Sequence, residues 1–240
     1  MKSLLVAAVG MLAVGAVTPA FAGPPPVYNW TGFYTGPSVG YGWAHVEGSA
    51  SDTFYDMGVP ISTTAALPFS FNGSGGVAGI QGGWNYQFPT NVVVGIEADG
   101  NLTSIGGQFT LCGSGFCTTT TTNVDDFSTI RGRLGYSYNN WLFYGTGGWA
   151  VGHSSSTAVL TPGPLTASST ANLSGWAAGG GIEWLVQPNW SVKLEYLHLQ
   201  FDGVGSAFNF GTIGPYTLIG SGTANAGIDI VRVGVNFHFR

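Results

Sequence analysis

The chain has 240 residues, a charged fraction of only 7% and a net charge of −5, whereas about a quarter of an ordinary soluble domain is charged. The acidic balance argues against nucleic-acid binding, which needs basic patches, and no apolar run after residue 22 reaches the roughly 18 residues of a membrane helix. What remains, with 40 glycines and 14% aromatic residues, is the charge-poor, aromatic-rich alternation that a membrane β-barrel needs.

Lys2 precedes the apolar stretch 4–17, and Ala20-Phe21-Ala22 is a small-x-small cleavage site, so residues 1–22 read as a secretory signal peptide. An uncleaved anchor is the alternative, disfavoured by the short apolar core and by Pro19. Residues 23–29, rich in proline, read as an extended periplasmic lead-in. Residues 30–240 are then the barrel.

The first strand is expected over 32–46, with Phe33, Val39, Tyr41 and Trp43 on one face and Tyr34, Gly36, Ser38, Gly40 and Gly42 on the other. The same two-faced pattern recurs over 76–86, 92–106, 126–138, 141–153, 174–186, 190–201 and 227–239. In the last of these Asp229, Val231, Val233, Val235, Phe237 and Phe239 oppose Arg232, Gly234, Asn236 and His238. Such a strand cannot end with an open edge in a bilayer, so it must pair with the first. The connections alternate in length. Gln87-Phe88-Pro89-Thr90-Asn91, Asn139-Asn140 and Gln187-Pro188-Asn189 are tight turns, whereas 47–75, 107–125, 154–173 and 202–226 are long. The expected fold is all-β: an eight-stranded antiparallel up-and-down transmembrane β-barrel with four long outer loops and three short periplasmic turns. Trp84, Tyr86, Tyr136, Tyr138, Trp141, Phe143, Trp184 and Trp190 crowd beside those turns as an aromatic girdle at the inner interface.

The scarce charges sort by parity. Glu97 and Asp99, Arg131 and Arg133, Glu183, Lys193 and Glu195, and Arg232 all oppose apolar neighbours within their strands. Arg or Lys facing lipid at mid-depth costs roughly 2–4 kcal/mol, so these eight point inward as a neutral lumen charge network. Counting from the short turns sets Glu97 opposite Arg133, Asp99 opposite Arg131 and Glu183 opposite Lys193, with Glu195 near Arg232. Such a network is either a structural plug or a gated small-solute path. The inward glycines 36, 40, 42, 83, 95, 135 and 148 leave room for water.

The remaining acids, Glu47, Asp52, Asp56, Asp125, Asp126, Asp202 and Asp229, fall in or beside long loops that carry no Lys or Arg. The threonine run 118–122 and the apolar tip 208–219, with Gly214-Pro215 as its turn, suggest hairpins standing beyond the membrane. Exposed apolar tips, here and at Phe69-Ser70-Phe71, are candidate contact sites. Cys112 and Cys117, four residues between them, can close a small disulfide in an exported chain. A metal site there lacks further ligands nearby in sequence.

Trp30-Thr31-Gly32-Phe33-Tyr34, Gly95-Ile96-Glu97-Ala98-Asp99, Arg131-Gly132-Arg133-Leu134-Gly135-Tyr136, Tyr144-Gly145-Thr146-Gly147-Gly148 and Val231-Arg232-Val233-Gly234-Val235-Asn236-Phe237 carry a resemblance over nearly all of the mature chain. It is to the small outer-membrane β-barrel surface proteins of alphaproteobacteria, often called porin-family proteins. The resemblance implies a barrel like the OmpA transmembrane domain with no appended peptidoglycan-binding domain. It also implies an abundant, envelope-stabilising surface protein, a class in which haem binding or adhesion is claimed for some members. The expected partners are outer-membrane lipid and lipopolysaccharide around the barrel, the barrel-assembly machinery through the last strand, and an unidentified extracellular ligand. In the family the chain usually ends on the aromatic which that machinery reads; here Arg240 follows Phe239.

Enzyme readings are weak. His153-Ser154-Ser155 would need an orienting acid within reach, and none follows before Glu183. His45, His198 and His238 are scattered singly, so haem or metal binding by His45 or His153 has little support, and no cofactor or catalytic residue is expected. Gly73-Ser74-Gly75-Gly76 and Gly179-Gly180-Gly181 lack the Lys-Ser/Thr and helix of a phosphate loop. The leading expectation is a non-enzymatic outer-membrane protein with a structural and surface role. A narrow porin-like channel and a surface receptor or adhesin are the alternatives.

Overall fold

The computed structural model describes residues 28–113, 116–162, 165–213 and 216–239. The expected leader 1–22, all but two residues of the lead-in, the Gly214-Pro215 turn and Arg240 lie outside the described residues. The strands are β1 (Gly32–Asp56), β2 (Val59–Thr63), β3 (Leu67–Gln87), β4 (Val92–Gly113), β5 (Phe116–Tyr138), β6 (Trp141–Thr161), β7 (Leu165–Gln187), β8 (Trp190–Ile213) and β9 (Tyr216–Phe239). Each neighbour is antiparallel in the order β2-β1-β3-β4-β5-β6-β7-β8-β9, and β9 pairs again with β1. That last pairing, from Phe33↔Phe239 to Asp56↔Tyr216, closes a ring through eight strands and leaves β2 as a short hairpin partner hung on the end of β1.

The short turns form where the sequence supplies residues suited to them. Asn91 and Asn139 take positive φ of 64° and 54°, a conformation that asparagine tolerates better than most side chains. At the opposite end the expected long loops are largely strand. β9 runs for 24 residues, although about 9–11 suffice to cross a bilayer, so the sheet continues far past the apolar band as a crown of paired hairpins. The threonine run 118–122, expected as a hairpin beyond the membrane, is part of this crown, and alternation explains why the strands run on. Thr118, Thr120 and Thr122 point into the crown while Thr119 and Thr121 point out, and β-branched residues suit such a pleat. At the tip of the β4–β5 hairpin Cys112 faces Cys117 and the two are joined by a disulfide. Reduction is expected to leave the folded barrel's gel mobility unchanged and to speed proteolysis at this tip, because the bond ties residues already adjacent in the ladder.

The outward face carries exposed apolar residues at mid-height, including Ile80, Ile96, Leu102, Ile130 and Leu134. The eight aromatics assigned to the girdle beside the short turns are all exposed on that face. A second belt, Tyr41, Trp43, Trp149, Trp176 and Tyr196, marks the other edge of the apolar band. Beyond it the outward positions turn polar, with His45 bonded to Asn72 and Glu47, His153 to Asp126, and His198 to Asp229.

Inside, the barrel is filled in layers. Near the short turns Trp30 lies fully buried beneath Val93, Leu142 and Leu185, its Nε1 donating to Ser137 Oγ at 3.0 Å. Towards the crown lies a second apolar layer containing Ile105, Phe127, Leu199, Phe201, Ile228 and Ile230. The charged residues sit between the two. The inward glycines do not hold space open for water, as the sequence suggested. A Cβ on Gly83 would come within 2.5 Å of Tyr34 Oη, and one on Gly148 within 2.1 Å of the Ile130 carbonyl oxygen, so these glycines admit close packing.

Candidate functional site

The eight charged residues expected in the lumen meet in one buried layer, none more than 6% exposed. Alternation on β4, β5, β7, β8 and β9 aims each side chain inward, and ring closure brings them within reach of one another. Arg131 is the hub. Its Nη2 donates to Glu97 Oε1 at 2.6 Å and Asp99 Oδ2 at 2.7 Å, its Nη1 to Glu195 Oε1 at 3.3 Å, and its Nε to Thr129 Oγ1 at 2.8 Å. Lys193 Nζ reaches across to both oxygens of Glu97, at 2.9 and 3.0 Å. Arg232 Nε donates to Glu195 Oε2 at 2.6 Å, and its guanidinium approaches Asp99 at 3.3 Å. Arg133 pairs with Glu183 and lies over the Tyr144 ring, 3.6 Å from its centroid. Four carboxylates and four cations balance, as a dry interior demands of buried charge.

The partners differ from those counted off the turns. Glu97 faces Arg131, Asp99 faces Thr129, and Arg133 faces Gly95. The shift is two residues, which keeps every side chain on its face while changing its neighbour. Its cause is topological. β4 and β5 are joined at the crown end, with a bulge between Leu102 and Ile105, so the short turns do not set their register. Glu183 does face Lys193 in the ladder and Glu195 faces Arg232, but the Lys193 ammonium turns to Glu97 instead of its ladder neighbour.

Several members were not singled out by charge. Tyr34 Oη donates to Glu97 Oε2 at 2.7 Å and Tyr144 Oη to Glu195 Oε1 at 2.9 Å. Asn236 Nδ2 donates to Glu183 Oε1 at 2.7 Å, and Asn236 Oδ1 accepts from Gln81 Nε2, also at 2.7 Å. His238 stands 2.9 Å from Ser191 Oγ and edge-on to Trp30. Inward parity was the available signal for all of them. Only their positions around the closed ring show that Tyr34, Tyr144 and Asn236 finish the carboxylates' hydrogen bonding.

The residues weighed as a hydrolase do not assemble into one. His153 does find an acid, Asp126 at 2.9 Å, but on the preceding strand β5 and not later in the chain. His153 is exposed on the outer face and Ser154 is buried on the inner one, while Ser155 Oγ donates to Asp125 at 2.9 Å. No group of three or more metal-ligating side chains occurs among the described residues.

Comparison with known proteins places this architecture. Residues 4–239 match the family model described as outer membrane protein beta-barrel domain. The chain is 33% identical over 180 residues to the 31 kDa outer-membrane immunogenic protein of Brucella melitensis, covering 74% of this chain and 73% of that one. It is 27% identical over 260 residues to the 25 kDa outer-membrane immunogenic protein of Brucella canis, covering 100% and 99%. Among solved structures, the outer membrane protein OprG from Pseudomonas aeruginosa aligns at 15% identity with a TM-score of 0.44, covering 88% of this chain and 98% of that one. The chain therefore belongs to the outer-membrane β-barrel domain family and is a bacterial outer-membrane protein that crosses the membrane with its strands.

Proposed function

We propose that this protein is a non-conducting anchor in the outer membrane, serving envelope integrity and surface contact, with its short turns in the periplasm and its hairpin crown outside. One observation carries this reading: the charged layer is interlocked by direct ion pairs and sealed by apolar layers on both sides, from Trp30 below to Phe127 and Phe201 above. An eight-stranded interior has room for side chains or for one small ligand, and at the level of the charged layer side chains fill it. The crown, not the lumen, then meets the surroundings. Its acidic outer edge, including Glu47, Asp56 and Asp202, disfavours polyanionic partners.

The test is conductance across a planar bilayer holding the refolded barrel, its folding verified by heat-dependent gel mobility. The wild-type protein is expected to be silent. Steady, reproducible openings that change in Arg131→Ala or Arg133→Ala would replace this reading with a gated path for small solutes.

A further inference from the structure

The crown encloses a cavity of about 460 Å³, within the roughly 300–1,000 Å³ range of small-molecule sites. Its lining is mainly apolar, although this part of the chain stands outside the membrane. On one wall Phe69 from β3 and Phe109 from β4 stack with ring centroids 4.2 Å apart and planes inclined by 2°, and Phe71 lies 5.3 Å from Phe109. Phe208 and Phe210 enter from β8. At the floor Val124 and Leu173 line the cavity, and they belong to the apolar layer with Ile105, Phe127 and Phe201 that separates it from the charged residues below.

Charge narrows the class of occupant. Among the described lining residues Asp52 is the one ionisable side chain, and no Lys, Arg or His reaches the cavity. Burial pushes the Asp52 carboxyl up from its ordinary value, so this wall favours neutrality. A ligand carrying carboxylate, sulfonate or phosphate would meet hydroxyls such as those of Thr118, Thr120 and Ser156 but no cation to balance its charge, and it would lie in the same cavity as the Asp52 carboxyl. A flat uncharged ring system meets stacked phenylalanines and displaces water that the walls bond poorly.

We propose that the crown cavity is a binding site for a neutral, mainly apolar small molecule, with the Phe69–Phe109 stack as its recognition wall. This rests on the reading of the crown as the protein's working surface. It adds the chemical class of what that surface takes up.

The test uses the full barrel in lipid nanodiscs, with empty nanodiscs as the control, and two dyes sharing one aromatic frame: neutral N-phenyl-1-naphthylamine and anionic 1-anilinonaphthalene-8-sulfonate. The neutral dye is expected to bind saturably and at least about tenfold more tightly than the sulfonate. Ala224→Trp, which fills the cavity from β9, is expected to abolish that binding, and Phe109→Ala, which removes half of the stack, to weaken it about tenfold. Gel mobility identifies folded variants, and if one fails to fold the other decides. Binding no greater than to empty nanodiscs, equal binding of the sulfonate, or binding unchanged in the folded variants would each overturn the proposal. A barrel silent in the bilayer that binds no dye would lose this inference alone. A barrel that binds the dye and also conducts would lose the closed-anchor reading and keep the cavity.

Discussion

Replacing Arg131 with alanine is expected to destabilise the folded barrel by about 3–5 kcal/mol, the usual cost of removing one partner from a buried ion pair. The guanidinium is the shared donor of Glu97, Asp99 and Glu195, all buried. Without it Lys193, Arg133 and Arg232 face four carboxylates, and in a closed lumen no water-filled channel would screen the excess charge. The measurement is urea unfolding in liposomes, followed by tryptophan fluorescence and by gel mobility. Arg131→Ala combined with Glu97→Gln restores the charge balance, and it should recover part of the loss as a coupling between neighbours. A loss below about 1 kcal/mol, the scale of an exposed pair, would show that the layer is hydrated and that the closed-lumen reading is wrong.

One position away in the same strand the expected result reverses the chemistry. Ile130 is exposed on the outward face at the level of Arg131, and Ile130→Arg is expected to cost about 2–4 kcal/mol because the charge then sits in lipid near the midplane. Tyr138→Arg, beside the Asn139-Asn140 turn, lies at the interface and should cost only about 0–1 kcal/mol for the charge itself. The same unfolding assay checks both. Equal costs at the two positions would mean that the apolar band has been placed at the wrong height along β5. The opposite outcomes expected for arginine at 131 and at 130 rest on the alternation of the strand alone.

That alternation was legible without coordinates. The faces of Glu97 and Asp99, of Arg131 and Arg133, and of Lys193 and Glu195 follow from a period of two, a property of the local chain. The short turns were legible for the same reason, since Asn91 and Asn139 hold their conformations locally. The crown was legible only in part: the threonine run 118–122 and the tip 208–219 suggest hairpins beyond the membrane, whereas 107–111 and 154–160, expected as loop, are strand. A sheet with water outside and an apolar cavity inside selects their mixed composition. The Phe69–Phe109 stack was invisible, because 69 and 109 meet only when β3 and β4 lie side by side beyond the membrane.

By itself, then, the sequence determined the class of fold, the number of strands in the ring, which side chains face lipid and which face inward, and the ends at which the chain turns tightly. These depend on hydrophobic period, turn chemistry and the cost of exposing charge to lipid, all of which act over a few residues. Tertiary structure decided the partners. The register across β4 and β5, joined only through the crown, and the reach of Lys193 across the lumen to Glu97, are set by ring closure, which couples residues far apart in the chain. Whether eight inward charges pair or repel depends on that closure, and so does the presence of an apolar cavity above them, because both are properties of the space the strands enclose.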